Sequence, residues 1–345
     1  VSDTPDRPIG KPATIEDVAR LAGVSIATVS RAIRKPEKVA DSTRKKVTAA
    51  IARTGYTANA MAQSLRTQKS KMVMVLTPSI SDPNFPGLLT GMEKAANTNG
   101  YGVLIANTEG SIALEQNHMR FLSSGMVDGL ILLTGHLPVA GQEKPAGFAY
   151  PPLVAASRPV TAAQVPYVGV DDIGAAKVAT EYLISLGHKK IVYVGSDGTD
   201  PVSDLRYQGY LEGLEEASGR IVPWRVEGGH SNEGGRAAVE RLFIKDTLPT
   251  AFFCYNDDVA VGVMSALRLR GYGVPQDFSV IGFDDTSIAS YISPALTTLR
   301  QPRGLIGAAA MDLLLRMVSG EPALQDKQLF RGDLTVRESC GPARE

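Results

Sequence analysis

From Lys71 onward, seven short apolar runs alternate with segments of helical pattern. They are Met72–Thr77, Tyr101–Ala106, Leu130–Thr134, Leu153–Ala156, Ile191–Val194, Ala251–Tyr255 and Val280–Phe283. Continuous apolar runs, unlike alternating ones, mark strands buried on both faces, and strands separated by helices pair in parallel with helices on either side. The pattern predicts an α/β fold, and a stretch of about 275 residues suits two such lobes. The chain has the material for it: 345 residues, 43% hydrophobic and 21% charged, which supports a full core and excludes a disordered chain.

The first 70 residues are of another kind. Val1–Ser70 holds thirteen basic residues against six acidic, a net charge of +7, and the remainder holds 23 against 30, a net charge of −7. The formal charge of zero thus hides a basic module joined to an acidic domain. No apolar run approaches the roughly 18 residues of a membrane span, so no membrane partner is expected. Val1–Pro8 lacks an apolar signal core, and Cys254 and Cys340 are the only cysteines, so reduced thiols and a cytoplasmic location are expected. His118, His136, His188 and His230 show no ligand spacing, and neither a metal nor a cofactor is expected.

Within the basic module, Ile15, Val18, Ala19 and Ala22 form one apolar stripe of a short helix. Thr14 can cap it, with Asp17 completing a capping box, and Gly23 suits its left-handed exit. Ser25 can cap a second helix running from Ile26 to about Arg34 and burying Val29 and Ile33, with Val24 stapled to Val29. Two short helices joined by Ala-Gly-Val-Ser form a helix-turn-helix pattern. Ser25, Ile26, Ala27, Ser30 and Arg31 then occupy the base-reading side, and Thr14 and Thr28 are also expected to bind DNA. Arg31 can grip guanine bidentately, and Ile26 and Ala27 can meet thymine methyl groups. A third helix is expected from near Asp41-Ser42 to Gly55, with Val47, Ala50 and Ile51 inward and Arg44, Lys45 and Lys46 as phosphate contacts or a solvated face. Tyr56–Thr67 is a candidate helix too short to persist alone, and carries Asn59, Gln63, Leu65 and Arg66.

Thr14-Ile-Glu-Asp-Val-Ala-Arg-Leu-Ala-Gly-Val-Ser-Ile-Ala-Thr-Val-Ser-Arg31 resembles the headpiece of the LacI/GalR family of bacterial repressors, and Gly55–Thr67 resembles its hinge helix. The resemblance spans essentially the whole chain. It implies paired hinge helices in the minor groove, with Leu65 wedged into a base step as apolar wedges kink DNA. It also implies a two-lobed body like a periplasmic sugar-binding protein. One stretch departs from the family: Arg34-Lys-Pro-Glu-Lys stands where many members have an Asn-Gly-Lys-Pro turn, so no base contact is assigned to Arg34.

The expected organisation is an arm at 1–12, disordered, a headpiece at 13–57, a hinge helix and linker at 58–70, and a two-lobed body at 71–345. The first lobe takes about 71–168 and 302–326, the second about 169–299 and 327–345. Crossovers are expected at Val168–Asp172, Leu296–Pro302 and near Leu324–Phe330. Ligands of such sheets bind beyond the carboxyl ends of the strands. There the sequence places the loop Pro78–Pro86 after the first strand, where the resemblance, with an aromatic or polar residue against the effector, points to Asp82, Asn84 and Phe85, and Asn256 and Asp284 after two later strands. The resemblance adds Arg206, a planar fork suited to hydroxyls or a carboxylate, and His230, where relatives stack a ring. Asn256 is equally a cap for the helix at Asp257, Asp284 can also be a cap, His230 can be an ordinary loop histidine, and Gln301 either binds the ligand or reports hinge closure. Gly195-Ser-Asp-Gly198 is an ordinary strand-to-helix loop. An Asp–Arg–Asn set around Phe85 suits a polyhydroxylated ring, a sugar or nucleoside, and the loops at Asp82–Phe85 and Leu296–Arg303 are most similar to the purine- and cytidine-repressor branch.

These readings converge on a ligand-responsive, sequence-specific transcriptional repressor: a homodimer on a pseudo-palindromic operator, with double-stranded DNA and a small-molecule effector as partners. Two rivals belong to other classes. A sugar-binding protein without a DNA role would not carry Thr14–Thr67. An α/β enzyme would need a nucleophile elbow, a phosphate loop or a triad in recognisable context, and none is present.

Overall fold

The computed structural model describes residues 13–57, 69–138, 150–160, 164–196, 198, 200–217, 221–244, 247–322 and 327–344. The expected arm and the expected hinge residues Asn59, Gln63, Leu65 and Arg66 lie outside them. Two units divide the chain, Val1–Ser70 and Lys71–Glu345. Among the described residues no helix is long and apolar enough to cross a membrane.

In the first unit, helix α1 (Ile15–Ala22) begins at a complete capping box: Thr14 Oγ1 accepts from Asp17 N, and Thr14 N donates to Asp17 Oδ2 at 3.0 Å. It ends at Gly23, whose φ of 65° is the left-handed exit a side chain would resist. Helix α2 (Ile26–Arg34) starts from Ser25, whose Oγ accepts Thr28 N at 3.2 Å, and α3 (Asp41–Thr54) stops at Gly55. Val18, Val29, Val47 and Ala50 form the core, with Ile51 and Val24 packed against it. Ile33, expected inside, is 38% exposed, and Ala32 is buried instead. One residue turns a helix by about 100°, so burying position 32 turns position 33 toward the rim.

The second unit contains two parallel sheets. The first has six strands in the order β11-β5-β4-β3-β1-β2, where β1 is Met72–Thr77, β2 Gly102–Asn107, β3 Gly129–Leu132, β4 Leu153–Ala156, β5 Tyr167–Val170 and β11 Lys327–Phe330. The second runs β7-β6-β8-β9, from Ile191–Gly195 (β6), Arg225–Glu227 (β7), Ala251–Cys254 (β8) and Ser279–Ile281 (β9). Thr298–Arg300 (β10) and Asp333–Thr335 (β12) form a separate antiparallel pair. β1, β3, β4, β5, β6, β8 and β9 are almost wholly buried, as continuous apolar runs between helix layers must be.

The lobe boundary differs from expectation. β5 and β11 pair in parallel within the first sheet, Lys327 opposite Tyr167 and Phe330 opposite Val170. The chain therefore leaves the first lobe after Val170 and returns to the second after Phe330. Residues 327–330, expected in the second lobe, belong to the first: Lys-Gln-Leu-Phe carries no buried apolar run, and lies at the edge of the sheet with only alternate residues half-buried.

Helices α4 (Phe85–Thr98) and α10 (Arg303–Val318) cross in direct backbone contact. A Cβ on Gly91 would lie 2.1 Å from Gly304 O, and one on Gly307 2.1 Å from Leu88 O. Only glycine permits that approach. It fixes the N-termini of both helices, where Asn84 and Arg303 sit.

Candidate functional site: the interlobe cleft and the headpiece helix

Loops at the carboxyl ends of strands from both large sheets converge on one cavity of about 280 Å³. Asp82 and Asn84 follow β1, and Ser157 and Arg158 follow β4. Arg206 comes from helix α7 (Pro201–Glu215) after β6, and His230 follows β7. Tyr255 and Asn256 follow β8, Asp284 follows β9 and Gln301 follows β10. Such a crevice is where open α/β sheets place ligands, because helix N-termini and strand-end loops point there.

Arg206 is the centre of the site, 4% exposed. Its Nε donates to Asp172 Oδ1 at 2.8 Å, Nη1 to the Tyr255 carbonyl at 2.5 Å, and Nη2 to Asp284 Oδ1 at 3.4 Å. The guanidinium carbon stands 3.6 Å from the Phe283 ring centroid and 4.8 Å from that of Tyr255. The carboxylates hold Arg206 charged despite burial, and its pKa rises above the ordinary arginine value. Burial outweighs Arg206's pull on Asp172 and pushes that carboxyl up to about 6; Asp284 moves the same way for the same reason. The fork that sequence reading offered to an effector carboxylate is largely committed to the protein's own groups.

Two sets of bonds join the lobes. On one wall Asn84 Nδ2 donates to Asp284 Oδ2 at 2.9 Å, and Gln301 Nε2 donates to Asp284 Oδ1 at 2.5 Å. Arg303 Nη1 donates to Asn84 Oδ1 and to the Asp284 carbonyl, both at 2.8 Å, so the asparagine amide is oriented from both ends. Asp284 holds φ of 110°, a strained conformation for a side-chain-bearing residue, at the position that binds both lobes. On the other wall Arg158 Nη1 donates to Asp200 Oδ1 at 2.9 Å, and His230 Nε2 lies 2.9 Å from Asp200 Oδ2. Burial raises the Asp200 carboxyl, but the His230 bond and the Arg158 charge win and hold it below the usual carboxylate range.

Asp82, Asn84, Arg206, His230, Asn256, Asp284 and Gln301 all line this cavity. Asn256 is both cleft wall and cap: its Oδ1 accepts Val259 N at 2.8 Å while Nδ2 donates to the His230 carbonyl at 3.0 Å. Phe85 is a correction. It is 5% exposed and packs in the first-lobe core with Leu88 and Met92, the inward stripe of α4, not against the cavity. The aromatic groups at the cleft are Tyr255 and the His230 ring set edge-on to it, centroids 4.8 Å apart. Sequence reasoning missed Arg158, Asp200, Tyr255, Asp258 and Arg303. The strand-end rule that selected Asp284 would have reached Arg158 and Tyr255; Arg303 leaves no local signal.

On the headpiece, Ile26, Ala27 and Arg31 are exposed along α2, and Arg31 has no partner among the described residues. Other expected contacts are partly spent at home. Thr14, Ser25 and Thr28 bond within the helix caps, and Ser30 accepts from Arg34, whose Nε also reaches the Ser30 carbonyl at 3.1 Å. Arg34 thus folds back along its own helix.

Residues 14–59 match the family described as bacterial regulatory proteins, lacI family, and residues 180–340 match a periplasmic binding protein-like domain. The HTH-type transcriptional repressor CytR of Escherichia coli (strain K12) is 34% identical over 329 residues, 95% of this chain and 96% of the relative. The HTH-type transcriptional repressor PurR of Mannheimia succiniciproducens is 31% identical over 95% of this chain and 98% of its own. Among solved structures, the Lac repressor dimer bound to operator and the anti-inducer ONPF superposes with a TM-score of 0.82 at 28% identity, covering 95% of this chain and 99% of that one. The transcriptional regulator CelR–cellobiose complex superposes with a TM-score of 0.71 at 29% identity, covering 95% and 99%. The headpiece helices, the paired parallel sheets and relatives matched nearly end to end agree: the chain belongs to the LacI family and is a DNA-binding transcriptional repressor similar to CytR and PurR, not an enzyme.

Proposed function

We propose that the protein is a cytoplasmic homodimer that binds a pseudo-palindromic operator, and that a sugar or nucleoside held in the interlobe cleft controls docking of the hinge segment 58–70 on DNA. The observation that carries this reading is the convergence of Asn84, Arg206, Asp284 and Gln301, from both lobes, on one hydrogen-bonded set at the cleft. A ligand that competes for those bonds changes how the lobes close, which is the differential contact a two-state switch requires. The neighbour solved with cellobiose supports a hydroxyl-rich ligand in this fold. Dimerisation is supported by exposed apolar side chains on the second lobe. Tyr291 is 85% exposed there, with Leu269 and Ile288 also exposed, near a surface cavity of about 450 Å³ lined by Met264, Tyr272, Ile292 and Pro294. Exposed apolar surface, where contiguous, marks association sites.

A screen of sugars and nucleosides by thermal shift, followed by operator binding with each hit, tests the reading. Arg206→Ala and Asp284→Ala are expected to abolish the effector's influence on DNA binding; an intact response in both removes them from the site. Tyr291→Asp is expected to shift the sedimenting species toward monomer, and an unchanged dimer places the interface elsewhere.

A further inference from the structure

Charge at the cleft is out of balance. Asp82, Asp258 and Asp284 line the cavity together with Arg158 and Arg206. Both arginines already have carboxylate partners, Arg206 in Asp172 and Asp284, and Arg158 in Asp200. The next cation, Arg303, gives its guanidinium to Asn84 Oδ1 and to the carbonyls of Asp284 and Asp285, each at 2.8 Å. Five carboxylates thus stand against three guanidinium groups. Asp82 and Asp258 are the two left over. Asp82 Oδ1 accepts only the Asn84 amide, at 2.8 Å, and Asp258 has no hydrogen bond or ion pair among the described residues. Burial, then the charges of Asp284 and Asp82, push the Asp258 carboxyl up, so these three groups feel one another across the cleft. A further acceptor, Asp172 Oδ2, is buried beside Arg206 without a hydrogen-bond partner.

We infer that the cleft takes an uncharged or cationic ligand presenting O–H or N–H donors, and rejects the phosphorylated or carboxylated form of the same molecule. The inference rests on the cleft being the effector site and names the class of effector. Carboxylate oxygens only accept hydrogen bonds, so the free groups at Asp82 and Asp258 call for donors. An anionic ligand needs a free guanidinium, and drawing Arg206 away would strand two buried carboxylates. Repulsion between a phosphate and unpaired carboxylates in a partly desolvated cavity is poorly screened.

The test uses the full chain and matched pairs: cytidine and cytidine 5′-monophosphate, ribose and ribose 5-phosphate, glucose and glucose 6-phosphate, with inorganic phosphate as the anion alone. Titration calorimetry reads affinity, and the melting of the two-lobed unit reads stabilisation, in the wild type and in the Asp82→Asn/Asp258→Asn double variant. Asparagine keeps an acceptor oxygen and removes the charge. In any pair that binds, the unphosphorylated member is expected to bind at least about ten-fold more tightly, and the double variant to narrow that ratio by about ten-fold. Phosphate is expected to stabilise the double variant more than the wild type, the headpiece contribution being common to both. A phosphorylated member that binds equally well or better overturns the inference, as does a ratio or a phosphate response that the double variant leaves unchanged. If no uncharged member binds, the sugar or nucleoside reading fails, and the phosphate arm alone then decides the charge inference.

Discussion

In the headpiece Arg31 stands exposed on α2 with no partner among the described residues, whereas in the cleft Arg206 is buried and holds two carboxylates, a carbonyl and two aromatic rings. Both are arginines at positions proposed for recognition, set in opposite ways. The headpiece arranges its exposed side chains by local means, two caps and a glycine turn within fourteen residues of α1's start, and leaves Arg31 solvated. The cleft gathers its groups from loops two hundred residues apart and binds them to one another. The first design separates recognition from stability. The second merges them, and substitutions should divide accordingly.

The largest effect is expected in the cleft. Arg206→Met leaves Asp172 and Asp284 as uncompensated buried charges and should destabilise the two-lobed unit by about 3–5 kcal/mol in urea melts; a loss below about 1 kcal/mol would mean that Arg206 is not the keystone of that set. Next comes the headpiece core. Val29 is fully buried, and Val29→Ala should cost the headpiece roughly 2–3 kcal/mol through lost methyl groups and the cavity left behind. Operator affinity should fall while the melting of the two-lobed unit stays in place. Arg31→Ala should leave both melts unchanged and remove about 1–3 kcal/mol of base discrimination, whereas Lys45→Ala should weaken all DNA sequences about equally. Competition between operator and random duplex separates the two, and the reverse pattern would exchange their roles.

The smallest effect is a pH slope. Burial and the neighbouring Asp284 push the Asp257 carboxyl up to about 7, against the hydrogen bonds it accepts from Thr298 and Thr286. A carboxyl with a raised folded pKa keeps a proton that the unfolded chain has released, so its cost is full above pH 7 and fades as pH falls toward 4. Asp172 acts in the same direction up to about pH 6. His188, pushed below the ordinary histidine value by burial, opposes them as pH falls. Asp257→Asn removes one of these contributions, so its stability relative to wild type should improve by on the order of 1 kcal/mol between pH 5 and pH 8. Parallel pH profiles for the two proteins would show Asp257 to be unshifted.

The same contrast explains what the sequence disclosed. Headpiece elements were legible to within a residue, because Thr14, Gly23, Ser25 and Gly55 act on backbone within one turn. The buried strands were legible as apolar runs. Tyr167–Val170, interrupted by glycine, and the edge strand Lys327–Phe330, half polar, were not, since their mutual pairing makes them strands. At the cleft, strand-end position found the residues that face inward, but Phe85 shows its limit: the same loop entry can begin a helix's buried stripe. Arg158 meeting Asp200 depends on the closure of one lobe on the other, and Arg303 meeting Asn84 on the crossing of α10 with α4, neither of which a local pattern encodes.

The central claim is that one chain joins these two designs, so that occupancy of the cleft changes grip on DNA. The direct measurement is the dissociation constant for an operator selected from random duplexes, taken with and without a cleft ligand found by thermal shift, in wild type and in Asp284→Asn. The account predicts a change of about five-fold or more in wild type, in either direction, and little or none in the variant. An operator affinity indifferent to a ligand that demonstrably occupies the cleft would contradict it.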